Sequence, residues 1–185
     1  MVFFYKTVNL KTMERKYEKI LESTALIRFE DCDPFGHLNN GRYIDYYLNA
    51  REDQLRENYG LDIYAMAKTT GKAWVVASNQ LAYLREVKFM ETVKIKTCLR
   101  WFNGSDMLME GQMVDINTGA IISVIWTRFA YIDIRKGQKA IHDEELIALL
   151  SKVAVLGEGK QESYFEDRVK ELRKEEAAQT MAAQV

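Results

Sequence analysis

Residues 92–102 alternate strictly. Val93, Ile95, Thr97, Leu99 and Trp101 fall on one side, and Lys94, Lys96, Cys98 and Arg100 on the other. Successive strand residues point to opposite faces of a sheet, so a period of two predicts an extended strand with one buried face. The pattern continues on both sides. Residues 74–89 carry Val75, Val76, Leu81, Tyr83 and Val87; residues 107–116 set Leu108, Glu110, Gln112 and Val114 against Met109, Gly111, Met113 and Asp115. Residues 120–134 form a last run rich in Ile121, Ile122, Val124, Ile125, Trp126, Phe129 and Tyr131. Asn103-Gly104-Ser105-Asp106 and Asn117-Thr118-Gly119 between these runs are turn formers. Strands joined by tight turns make an antiparallel meander. The second half of the chain must therefore be a sheet, and the remaining segments must pack on it.

Upstream, residues 23–30 alternate Thr24, Leu26, Arg28 and Glu30 with Ala25, Ile27 and Phe29, which predicts one more strand. Leu10, Met13, Tyr17, Ile20 and Leu21 recur at helical spacing and predict an amphipathic leader helix over 10–21. Residues 42–59 begin almost wholly apolar and end charged, with Gly60 as a C-terminal stop. They predict a helix buried at its start, with Asn39 or Asn40 as N-cap. Asp143-Glu144-Glu145 opens a short helix through Leu150, residues 157–160 read as a linker, and 162–178 as a charged helical tail before a frayed end. The expected fold is α+β: a curved antiparallel sheet of about five strands around one long central helix, with a C-terminal helical tail. The expected segments are a leader (1–21), the main domain (22–150) and the tail (151–185). An open apolar sheet edge invites dimerisation.

The net charge is −1, which does not suit an electrostatic nucleic-acid binder. Cys32 and Cys98 make neither a disulfide framework nor zinc spacing, and are expected as reduced thiols. The apolar stretch at Met1-Val2-Phe3-Phe4 is too short for a signal peptide. No run approaches the roughly 18 apolar residues of a membrane span. The expectation is a soluble cytoplasmic protein.

The single proline lies in the densest polar cluster, Asp31-Cys32-Asp33-Pro34-Phe35-Gly36-His37-Leu38-Asn39-Asn40. Four readings of it compete. The residues can be turn formers and caps alone. They can be a calcium loop, since Asp31, Asp33 and Gly36 match three EF-hand positions, although Phe35 and Arg42 stand where ligands are needed. They can be a metal site of Asp31, Asp33 and His37, without a second histidine nearby. Finally, Asp33 can be a catalytic carboxylate beside a helix N-terminus. Pro34 would set the turn, Gly36 would let a ligand approach, and unpaired amides near Asn40 would bind a developing oxyanion. A carboxylate so placed can serve acyl transfer or hydrolysis as nucleophile or general base.

The run Phe29-Glu30-Asp31-Cys32-Asp33-Pro34-Phe35-Gly36-His37-Leu38-Asn39-Asn40-Gly41-Arg42-Tyr43 resembles the signature of the hot-dog-fold acyl-CoA thioesterases of the 4-hydroxybenzoyl-CoA thioesterase type. Tyr83-Leu84-Arg85-Glu86-Val87-Lys88-Phe89-Met90-Glu91-Thr92 resembles that family's exit from its second strand. The resemblance covers residues 22–150 and implies the hot-dog fold, which is the layout already read from periodicity. It implies thioester hydrolysis without a cofactor or metal, with Asp33 attacking or activating water and the Asn40 backbone N–H polarising the carbonyl. Asp31 then braces the loop, and His37 and Asn39 either position Asp33 or a water, or cap the helix. The Gly-His-Leu-Asn-Asn stretch is nearer the version found in acyl-CoA and acyl-carrier thioesterases than the aromatic-rich one. The three residues between Asp33 and His37 do not match the hydratase relatives. Phe35, Tyr43, Tyr46, Tyr47 and Trp74 are candidates for lining the acyl site. Arg85, Lys88, Lys94, Lys96 and Arg100 are assigned to a solvated strand face. The resemblance also implies a homodimer or homotetramer with sites at the subunit junction, taking an acyl-CoA or related thioester.

Overall fold

The computed structural model describes residues 17–159 and 164–182. Strand β1 (Ile20–Leu26) leads into a short 3-10 turn at Phe29–Asp31 and the polar loop. Helix α1 (Tyr43–Gln54) follows, extended by a π turn over Leu55–Tyr59 and closed by Gly60 at φ 66°. Helix α2 (Ile63–Thr70) precedes β2 (Lys72–Tyr83), and β3 (Thr92–Phe102), β4 (Asp106–Asp115) and β5 (Ile121–Asp133) then form a meander; β2, expected as its first strand, instead crosses over to pair with β5. A short β6 (Gln138–Lys139), α3 (Glu144–Val153), β7 (Ala154–Glu158) and α4 (Phe165–Ala182) complete the described chain.

The sheet has seven strands in the order β1-β3-β4-β5-β2, with β6 added to β5 and β7 added to β3 in parallel. β3 and β5 lie where the alternation predicts them, but the period slips between Leu99 and Trp101, and Trp101 lies on the opposite face from Val93 and Ile95. One face carries Val93, Ile95, Met113 and Ile125 under α1, whose Tyr43, Tyr47 and Ala50 are buried among them. Tyr47 is fully buried, and its ring lies where a Cβ on Gly111 would stand 2.6 Å away. Glycine at this point of β4 is what lets the helix approach the sheet. Full burial of a side chain this size contributes about 2–3 kcal/mol. The Tyr47 hydroxyl is not orphaned: it bonds Ser123 and accepts the Met113 N–H.

The opposite face carries Leu108, Val124, Trp126 and Trp101, and α4 covers it with Phe165 and Leu172. Both faces of the central strands are thus covered, and for this reason β3, β4 and β5 are buried almost throughout. Glu110, 2% exposed, accepts from Trp126 Nε1 at 2.9 Å and Arg168 Nε at 3.1 Å on one oxygen, and from Gln112 on the other. Arg168 thereby anchors α4 to β4.

Several expectations need correction. The leader helix lies mostly outside the described residues, and its expected end does not hold. Ile20 and Leu21 belong to β1, paired with Cys98 and Thr97 of β3, because sheet pairing outweighs a weak helical periodicity. The strand expected over 74–89 ends at Tyr83, and residues 84–91 are a loop. Neither Asn39 nor Asn40 caps α1: the N-cap is Arg42, with no side-chain bond. Gly157 and Glu158, expected to open a linker, instead end a strand over Ala154–Glu158, and α2 comes without a sequence expectation.

Candidate functional site

Residues 31–40 fold as a small hairpin. Cys32 bridges Leu38, His37 bridges Lys88, and Asp33 N–H donates to the His37 carbonyl at 2.8 Å. The 84–91 loop clasps it from outside: Leu38 N–H donates to Val87 O, and Phe89 N–H to Gly36 O. Gly36 has φ 80°, a left-handed conformation that glycine adopts without cost. The Asp33 Oδ1 accepts the Phe35 N–H at 2.9 Å and the His37 N–H at 3.3 Å. The turn thus holds the carboxylate by one oxygen. Among the described residues, Oδ2 has no hydrogen-bond partner.

The backbone amides of residues 31–42 show a corresponding gap. Asp31 donates to Arg28, Cys32 to Phe29, Gly36 to the Asp33 carbonyl, Asn39 to Asp31, and Arg42 to Asn39. The Gly41 N–H goes to the Asn39 side chain at 2.9 Å. Pro34 has no N–H. Among the described residues this leaves the Asn40 N–H as the one amide of the stretch with no acceptor. Its residue is held by Tyr83 at the end of β2, whose hydroxyl donates to the Asn40 carbonyl at 2.8 Å. Tyr83 also packs edge-on against Tyr43, with ring centroids 5.0 Å apart. The Tyr43 hydroxyl is pushed up to about 12, first by burial, then by Tyr83 and by the charge on Asp33, so it stays protonated beside the loop.

The other expected residues take definite places. Asp31 accepts the Tyr46 hydroxyl at 2.9 Å and faces Arg42 Nε at 3.5 Å, which ties the hairpin to α1. Tyr46 therefore acts as a tie rather than as a pocket wall. His37 turns its ring to Glu86, 3.3 Å away, and reaches Asp33 through its backbone alone. The Asn39 side chain caps the Gly41 amide. Phe35 is 82% exposed at the hairpin tip and, with Phe29, Phe89 and Met90, makes an exposed apolar collar around the loop. Tyr47 is core. Trp74 lies at the start of β2 and donates to His142 Nε2, away from Asn40 near the other end of that strand. Tyr83 was missed as a loop-holding residue; its only sequence signal is an aromatic closing a strand.

The sequence profile of the Thioesterase-like superfamily matches residues 27–150. No curated protein matches the chain. Among solved structures, a probable thioesterase from Escherichia coli superposes with TM-score 0.64 at 21% identity, over 72% of this chain and 98% of that one. A 1,4-dihydroxy-2-naphthoyl-CoA thioesterase from Synechocystis gives 0.64 at 9% identity, over 69% and 92%. A 12:0-ACP thioesterase from Umbellularia californica gives 0.65 at 14%, over 74% of this chain and 51% of that one. At these identities the likeness is one of fold.

Proposed function

The chain belongs to the thioesterase-like superfamily, and from that membership we propose that it hydrolyses acyl-CoA thioesters to the free acid and CoA. The observation that carries the reading is the pair left over in the hairpin among the described residues: the Asn40 N–H without an acceptor and the Asp33 Oδ2 without a donor. An unpaired amide is a ready donor to the oxygen on which negative charge develops as a thioester carbonyl is attacked. A carboxylate held by one oxygen presents the other as nucleophile or as base to water. In the net step, water's oxygen bonds the carbonyl carbon, the C–S bond breaks, and the leaving sulfur takes up a proton.

The site lies at one end of β2, whose outer edge pairs with no other described strand. Val75, Val76 and Tyr83 on that strand are exposed, as is the apolar collar. We read this side as the face that a second copy covers, in a homodimer or homotetramer that shields the thioester from solvent.

The test is thiol release from a panel of acyl-CoAs. Asp33→Asn lowers kcat on the order of 100-fold or more. Asn40→Ala keeps most of the rate, because the backbone and not the side chain is the donor. No thiol release with any acyl chain overturns the reading, and tight binding without turnover makes the protein an acyl-thioester binder. Much faster release from acyl-carrier thioesters redirects it to a carrier protein.

A further inference from the structure

At the far half of α1 the fold forms a partly open cavity of about 160 Å³. Its wall is almost wholly apolar, with Leu48, Leu55, Trp74, Met109, Phe129 and Leu150 contributing from α1, its π turn, β2, β4, β5 and α3. Two charged side chains interrupt it, Arg51 and Glu52. Glu52 lies at the rim, where the exposed Tyr64 hydroxyl donates to both its oxygens at 2.8 and 2.9 Å. Arg51 is different. It is 8% exposed, it donates to Thr97 Oγ1 at 3.1 Å, and it stands beside Tyr59, sharing a side-chain hydrogen bond with it and lying 6.0 Å from the ring centroid. The Thr97 hydroxyl hydrogen is already given to Gln54, so Thr97 is only an acceptor here. Among the described residues no carboxylate lies within ion-pair reach of Arg51.

A guanidinium carries five N–H donors and does not give up its proton in proteins. Buried charges in proteins are otherwise paired, because desolvating one without a counter-charge costs several kcal/mol. A cation held on an apolar wall, with only the Thr97 and Tyr59 side chains as partners, is therefore placed for an anion that the described residues do not supply. The remaining wall requires an apolar body on that anion. A cavity of roughly 150 Å³ takes up a benzene-sized molecule, so the body is on the order of six carbons.

We propose that this cavity is a binding site for a short-chain carboxylate, with Arg51 holding the carboxylate and the Leu48–Trp74–Phe129 wall holding the alkyl chain. The site is separate from the hairpin. None of residues 31–40 lines the cavity, and Arg51 stands eight residues beyond Tyr43, the first residue of α1, about 12 Å at the rise of a helix. The ligand is thus a free acid and not the tail of a thioester bound at Asn40, and the inference stands whether or not the chain hydrolyses thioesters.

Calorimetric titration of the full chain with sodium hexanoate, and with 1-hexanol as the uncharged match, tests it. One hexanoate binds per chain, hexanol binds at least tenfold more weakly, and Arg51→Met loses at least tenfold in hexanoate affinity. Ala67→Phe, which fills the cavity from α2, abolishes binding. Without ligand, Arg51→Met unfolds at the same temperature as the parent or higher, because it removes an unpaired buried charge, and hexanoate raises the midpoint of the parent alone. Absence of hexanoate binding, equal affinity for hexanol, or full affinity in Arg51→Met or Ala67→Phe overturns the proposal. So does a large loss of stability in ligand-free Arg51→Met, which makes the guanidinium a structural member.

Discussion

Asp33 gives one carboxylate oxygen to its own turn and leaves the other open, and Gly36 makes that turn possible. At φ 80° a Cβ meets nothing within 4 Å, so Gly36→Ala is penalised by backbone strain alone, about 1 kcal/mol. Thermal unfolding should register that modest cost. Under the proposed function, the fall in kcat should be larger than the stability loss implies, since the strained turn is the one that aims Asp33. Gly111 contrasts with it, because its constraint is space. A methyl group there meets the Tyr47 ring at 2.6 Å and Ile125 at 2.8 Å, and neither side chain is at a surface. Gly111→Ala should cost roughly 1–3 kcal/mol in urea unfolding, with the loss spread over the whole α1–sheet contact. Gly36 was legible in the sequence as part of a polar cluster. Gly111 was not, since a glycine inside an alternating strand does not reveal what packs over it.

Helix α4 shows how one buried pair can attach a whole element. Burial pushes the Glu110 carboxyl up, but the hydrogen bonds from Arg168 and Trp126 and the charges of Arg168 and Arg100 outweigh it and hold the group below its usual 4.5. A carboxyl whose folded pKa is depressed adds stability that is fully present above the unfolded value and lost as pH falls through the folded one. Urea midpoints followed from roughly pH 6 to pH 3 should therefore fall steeply below about 4.5 in the parent and less steeply in Glu110→Gln. Arg168→Met leaves Glu110 with the Trp126 and Gln112 donors and Arg100 at 3.8 Å, and should cost roughly 3 kcal/mol, read as loss of α4 before the rest of the fold. The charged tail was legible as a helix because its spacing is regular. Its docking surface was not, since Lys94, Lys96 and Arg100 of β3 and Glu110 and Gln112 of β4 look like a solvated side until a helix lies on it.

At the scale of the molecule, the open edge of β2 and the apolar collar lie on the candidate site's side of the sheet. If a second copy closes that side, sedimentation of the parent gives two or four chains, and Val76→Lys shifts the mass toward one chain while lowering the rate. A single-chain mass for the active parent removes the dimer reading. Sequence alone was enough for the three strands from Thr92 to Asp133, the central helix and the polar loop, because alternation, helical spacing and turn residues are local consequences of which face is buried; it did not show that β2 crosses to the far side of β5. The resemblance carried by residues 29–43 pointed to the same superfamily that the 27–150 match shows. Tertiary structure decided the rest. Ile20 and Leu21 became strand because β3 offered them partners, and Tyr47 became core because Gly111 made room. Only the fold put Tyr83 under Asn40 and Arg51 into an apolar wall. These are contacts between residues far apart in the chain, and nothing local in a sequence records which distant neighbour will supply, or fail to supply, a partner for a buried polar group.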